Sequence, residues 1–267
     1  MILIRTVSAG EAAVLERLEL DRPELVTTND LTAMLNEFGI GTLPRVFAAR
    51  LRAKGWLLPT SQRGVWEFAP AAAAGPYSSG DPLLPLRSYL AKHPGSQCGL
   101  TFQAAAWAHG LADRVPSRPE VAVADPLTVR KLPAGLDASM FIPVSPYAEA
   151  HGVPALAVES VIVQMCAKPV AVRSWVSAAE WLPDIAAEAD ADGVVLELGG
   201  RPHTVAIRTG YLLQSLRPDI ATSIATTSPP TGKTWFGPRH RLLRHDNRWQ
   251  VADTMLPFDP RTLETVR

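Results

Sequence analysis

Leu43-Pro44-Arg45-Val46-Phe47-Ala48-Ala49-Arg50-Leu51-Arg52-Ala53-Lys54-Gly55, followed by Trp56-Leu57-Leu58-Pro59, Thr60-Ser61-Gln62-Arg63-Gly64 and Val65-Trp66-Glu67-Phe68-Ala69, is the stretch on which the fold reading turns. Pro44 suits the first position of a helix, where its missing N–H would have no intrahelical partner. Gly55 suits the C-cap. At about 100° per residue, Leu43, Phe47 and Leu51 share one face, and Arg45, Ala48, Ala49 and Arg52 share the other. Trp56–Pro59 and Val65–Ala69 are rich in strand formers, and residues 60–64 supply the turn of a hairpin between them.

Working outward, Ser8 caps a helix whose apolar residues are Val14, Leu15, Leu18 and Leu20, stopped by Asp21-Arg22-Pro23. Val26-Thr27 is a short extended step. Thr28 caps a second helix, Asn29 to Phe38, with Asp30 in its first turn and Leu31, Met34, Leu35 and Phe38 buried. Gly39-Ile40-Gly41-Thr42 turns tightly into the third helix. Helix, helix, turn, helix and hairpin is the order of a winged helix-turn-helix. Small alanines between Arg45 and Arg52 leave room for a duplex, and arginine suits both guanine edges and phosphates. From Gly39 to Gly64 there are five basic residues and no acid. Arg45, Arg50, Arg52, Lys54 and Arg63 are therefore the candidate DNA contacts. A solvated basic helix, or a module that meets only proteins, fits the same pattern.

The chain has 267 residues, 47% of them hydrophobic and 19% charged. That is enough to bury a sizeable core, which excludes wholesale disorder. No run is long and apolar enough for a membrane helix, and the N-terminus does not read as a secretory signal. Two distant cysteines, Cys98 and Cys166, exclude a disulfide framework or a four-cysteine zinc site. A cytoplasmic setting is expected. Twenty-six basic and 26 acidic residues cancel overall. Residues 71–199 nevertheless hold eight basic and 13 acidic residues, and residues 200–267 hold ten and five. The acidic middle and basic end either neutralise each other or face different partners.

Residues 71–82, rich in Ala, Gly, Ser and Pro, read as a linker closing a domain over 1–70. Residues 83–267 read as a larger mixed α/β domain, giving an α+β chain. Helices are expected at 83–90, 103–109, 156–167, 177–189 and 205–216. Strands are expected at 120–124 and 140–144, with extended segments at 241–243 and 249–251. Residues 193–198 fit either a strand or a helix end.

Chemistry-bearing constellations are few. Asp190, Asp192 and Glu197 could supply a metal-dependent nuclease, but Glu197 is followed by Leu198 and Gly199 and lacks the Glu-x-Lys lysine. A solvated loop is the simpler reading. His109, His151, His203, His240 and His245 show no zinc-ligand spacing. No serine elbow, phosphate loop or dinucleotide fingerprint occurs, so neither cofactor nor metal is expected. Lys233, Arg239, Arg241, Arg244 and Arg248 fall within 16 residues, interleaved with Trp235, Phe236 and Trp249. They form a second candidate patch for nucleic acid or an acidic protein, or else they pair with the acidic middle.

Thr28-Asn29-Asp30-Leu31 through Gly39, Arg50 through Leu57 and Arg63-Gly64-Val65-Trp66 resemble the N-terminal winged helix of AbiEi-type antitoxins. Phe102 through Leu111, Pro116 to Val123 and Arg208-Thr209-Gly210-Tyr211-Leu212-Leu213 resemble the later segments of that family. The resemblance covers most of residues 27–215. It implies a non-catalytic antitoxin of a type IV pair that opposes a nucleotidyltransferase-like toxin and represses its own operon on double-stranded DNA. It also implies DNA contacts at Arg45, Arg52, Lys54 and Arg63, and places Arg208 and Tyr211 in the antitoxin domain. The lead into the third helix, Gly41-Thr42-Leu43-Pro44, is less basic than in many members.

Overall fold

The computed structural model describes residues 7–73 and 79–263. The chain divides into two compact units. One runs through Ser96 and takes in Lys131–Leu136; the other comprises Gln97–Arg130 and the chain from Asp137 onward.

In the first unit, α1 (Ala9–Asp21) opens on a reciprocal capping box: Ser8 accepts from the Glu11 amide, and the Glu11 carboxylate accepts from the Ser8 amide. Strand β1 (Leu25–Thr27) leads directly into α2 (Thr28–Glu37). The cap of α2 is Thr27, not Thr28, and Thr27 and Asp30 satisfy each other's amides. Helix α3 (Pro44–Ala53) carries its proline at the start, as its spacing requires. Strands β2 (Leu57–Pro59) and β3 (Val65–Phe68) form the hairpin, and β1 joins the free edge of β3 to give an antiparallel sheet ordered β1-β3-β2. Val14, Leu18, Leu31, Leu35, Phe47, Leu51, Trp56 and Phe68 share one core.

The buried stripe of α3 is Phe47, Ala48 and Leu51, with Leu43 exposed. Leu43 is the N-cap, with φ −62° and ψ 133°, so the helical repeat does not direct its side chain. Once Leu43 leaves the set, the stripe centres between Phe47 and Ala48, and Ala48 turns inward.

The expected boundary at residue 70 also shifts. Helix α4 (Leu84–Lys92) packs on β1 and β3 and so belongs to the first unit. Arg87 pairs there with Glu24 and, at 3.4 Å, with Asp81, while the Ser61 and Ser88 hydroxyls lie 3.3 Å apart. Within the expected linker, Ala71–Ala73 forms a short 3₁₀ turn and residues 74–78 lie outside the described residues.

The second unit begins with β4 (Cys98–Leu100), α5 (Phe102–Ala108), β5 (Glu120–Val123), α6 (Pro126–Lys131), β6 (Asp137–Met140), β7 (Ala148–Ala150) and β8 (Val153–Ala155). Its five-stranded mixed sheet is ordered β6-β5-β4-β8-β7. Helices α7 (Val158–Ala167), α8 (Trp175–Glu188), α9 (Ala191–Leu198), α10 (His203–Leu213) and α11 (Pro218–Thr227) follow. Ser160 through Cys166 on α7 are all buried, the mark of a helix surrounded by others. A second small sheet, β9 (Thr234–Phe236), β10 (Arg244–Asp246) and β11 (Val251–Asp253), is ordered β10-β11-β9 and packs on α10. The ambiguous run 193–198 is therefore helical: Asp190 accepts from the Gly193 amide at 2.8 Å and caps α9. The extended segments of the C-terminal region lie at 244–246 and 251–253, later than expected.

Candidate nucleic-acid interface

Helix α3 and the tip of the β2–β3 hairpin enclose a groove of about 260 Å³. Arg45, Ala48, Ala49 and Arg52 line its helix side, and Thr60, Gln62 and Arg63 line its hairpin side. Arg45, Arg52 and Arg63 are exposed, as is Arg50 outside the groove. Among the described residues none of the four guanidinium groups forms an ion pair. Alanines at the floor keep the space between the cations open.

The hairpin tip is held by local bonds. The Thr60 hydroxyl donates to the Val65 carbonyl at 2.8 Å and accepts from the Gln62 amide at 3.1 Å. The Thr28 amide and hydroxyl both donate to the Gly64 carbonyl, at 2.9 and 3.2 Å, which ties the start of α2 to the tip. Gly64 has φ +84°, and a Cβ there would stand 2.8 Å from the Thr28 hydroxyl oxygen. Glycine is thus required on two counts, and Arg63 projects from a fixed base. None of these links is visible in the hydrophobic pattern, although Thr60-Ser61-Gln62 has the composition of a side-chain-capped turn.

Lys54 separates from the other candidates. Its ammonium group donates to the buried Glu11 carboxylate at 2.6 Å. Burial works to raise the Glu11 carboxyl, but the hydrogen bonds from Lys54 and Ser8 outweigh it and hold the group below the ordinary carboxylate range. Lys54 locks α3 to the cap of α1; it is not a free cation on the groove.

The second candidate patch also divides. Lys233, Arg239, Arg241 and Arg248 are exposed. Arg244 is not available: it pairs with the fully buried Asp253 at 2.5 Å and donates to the Leu256 carbonyl at 3.0 Å. Phe236 and Trp249 are core residues and cannot stack on bases. Only Trp235 remains partly accessible, with the Lys233 ammonium 4.5 Å above its ring. Basic-aromatic spacing in a sequence does not tell a stacking platform from a core flanked by surface charge.

Arg208 and Tyr211 are structural as well. Arg208 donates to the Trp235 carbonyl at 2.7 Å and the Cys166 carbonyl at 3.3 Å. The buried Tyr211 hydroxyl donates to Asp253 at 3.1 Å, and burial beside that carboxylate pushes the phenol well above its ordinary range. Between them, Gly210 faces the Trp249 ring so closely that a Cβ would overlap it. The Arg208-Thr209-Gly210-Tyr211 run thus docks the C-terminal sheet onto α10.

Glu197, the nuclease candidate, is fully buried and saturated. It accepts from the Val144 and Ser145 amides at 3.0 and 3.1 Å and the Ser160 hydroxyl at 2.7 Å, and pairs with Arg201. Asp190 is a cap and Asp192 lies on the first turn of α9. Among the described residues no group of acids, histidines and cysteines could hold a metal. Burial pushes the Cys98 thiol up to about 11 and Cys166 up to about 12, so neither is a thiolate at neutral pH.

Residues 97–215, from β4 to just past α10, match the family model of the AbiEi antitoxin C-terminal domain. The second unit is thus similar to the C-terminal domain of AbiEi antitoxins over somewhat less than half of the chain. The chain's fold is also that of the RV2827C protein from Mycobacterium tuberculosis, known from a crystal structure: 27% identity, TM-score 0.78, over 95% of this chain and 94% of that one. Comparison with curated proteins gives no match. No helix among the described residues is long and apolar enough to cross a membrane.

Proposed function

We propose that the chain is a cytoplasmic DNA-binding antitoxin of a type IV pair. In this reading the first unit is a winged helix-turn-helix that represses the chain's own operon, and the second opposes a nucleotidyltransferase-like toxin. One observation carries the DNA part: Arg45 and Arg52 on α3 and Arg63 on the hairpin line a single open groove, and no acid among the described residues neutralises them. Helix α3 enters the major groove with Arg45 and Arg52 toward base edges, Arg50 meets the backbone, and Arg63 reaches an adjacent phosphate. The action is binding, with counterions released from the duplex.

Gel shift with the DNA upstream of the gene tests this. Arg52→Ala should weaken binding by about 1–3 kcal/mol if it makes a bidentate base contact. Unchanged affinity in an Arg45→Ala/Arg52→Ala double variant would refute the reading and leave the first unit as a protein-binding module.

A further inference from the structure

Two surfaces of the second unit carry opposite charge. The first is a groove of about 480 Å³ along α8. Glu180, Trp181 and Asp184 are among the residues that line it from the helix, and Asp113 and Arg114 are among those that line it from the segment after α5. Among the described residues the three carboxylates form no ion pair, so the groove is net acidic. Trp181 is 4% exposed, and its indole N–H has no hydrogen-bond partner among the described residues.

The second surface is the loop 238–243 between β9 and β10. All six of its residues are exposed. Arg239, His240 and Arg241 form no ion pair among the described residues, and Leu242 and Leu243 are 48% and 52% exposed. The loop is rooted at both ends. The Pro238 carbonyl accepts from the Thr254 hydroxyl at 2.7 Å, and the Leu243 amide donates to the Asp253 carbonyl at 2.9 Å. A loop already held in shape loses little entropy on docking.

We propose that a second copy of this chain seats its 238–243 loop in the acidic groove beside α8. Arg239 and Arg241 meet Glu180, Asp184 and Asp113. Leu242 and Leu243 leave water, which a purely phosphate ligand would not achieve. Both halves of the match lie on one chain, and in the proposed dimer the exchange is reciprocal, each copy's loop filling the other's groove about a two-fold axis. The proposal does not rest on the DNA reading.

Sedimentation velocity of the full chain from about 1 to 500 μM tests it, over affinities that a small charged interface can reach. A salt-sensitive monomer–dimer equilibrium is expected. Arg239→Glu/Arg241→Glu and Glu180→Lys/Asp184→Lys should each weaken it by about tenfold or more. An equimolar mixture of the two variants should associate again, because acidic loops then face basic grooves. Circular dichroism melting confirms that each variant is folded. A chain monomeric throughout, a dimer indifferent to both swaps, or folded variants that do not re-associate on mixing would each overturn the proposal. So would loop variants that lose duplex DNA while their self-association stays intact, which would assign the loop to nucleic acid.

Discussion

Arg52 and Lys54 lie two positions apart, carry the same charge and have opposite fates. Arg52 lines an open groove, whereas Lys54 folds back onto Glu11, 43 residues earlier. No helical wheel reveals that pairing, because the acid belongs to another helix and reads locally as a capping residue. Lys54→Met should leave duplex affinity within about twofold while lowering the stability of the first unit by about 1–3 kcal/mol, the cost of a buried carboxylate without its donor; urea titration beside a gel shift separates the two effects. The pH dependence has a definite sign. The Glu11 carboxyl is held below its ordinary range, so its contribution is present at neutral pH and fades as pH falls through the lowered value. The Lys54→Met variant should show a flatter loss of stability in acid. At the hairpin, Gly64→Ala forces a left-handed backbone and a clash with Thr28. It should reduce duplex affinity through a displaced Arg63, read as a weaker gel shift in a protein whose far-ultraviolet dichroism is unchanged.

At the scale of elements, the joint between α10 and the C-terminal sheet is made of four interlocking parts: Gly210 under Trp249, Arg208 on the Trp235 carbonyl, Tyr211 on Asp253, and Arg244 on the same carboxylate. Asp253→Ala should cost about 3–5 kcal/mol, since it leaves a guanidinium and a phenol without their shared acceptor, and chemical denaturation measures it. Gly210→Ala should cost about 1–3 kcal/mol by overpacking, unless Trp249 is shortened as well. The sequence made the helices and the hairpin of the first unit legible because Pro44, Gly55 and Gly64 punctuate them and Phe47 and Leu51 fix the inner face. It placed Leu43 wrongly because a cap residue does not follow the helical repeat. It marked residues 83–90 as helical, yet periodicity cannot say which sheet receives the apolar side chains, so the unit boundary fell too early. The C-terminal aromatics misled for a related reason: burial depends on which helix the strand lands upon, and that partner lies some 40 residues upstream.

For the whole molecule, the distribution of charge matters more than its zero sum. Arg45, Arg52 and Arg63 of the first unit stand open on one groove, whereas much of the charge in the second is consumed internally, as in Arg201–Glu197 and Arg244–Asp253. If α3 and the hairpin neutralise about two to four phosphates, the logarithm of duplex affinity should fall with the logarithm of salt at a slope of about −2 to −4; a slope near zero would remove the electrostatic basis of the proposed DNA binding. The AbiEi match stops at residue 215, but the helix that carries its last motif is roofed by strands that come afterwards. Anyone trimming the gene to that match would strip α10 of part of its cover, bare Tyr211, and deprive Arg208 of an acceptor. Such a fragment should emerge from expression as sticky, inclusion-prone material, while one carried on through residue 263 should stay in solution.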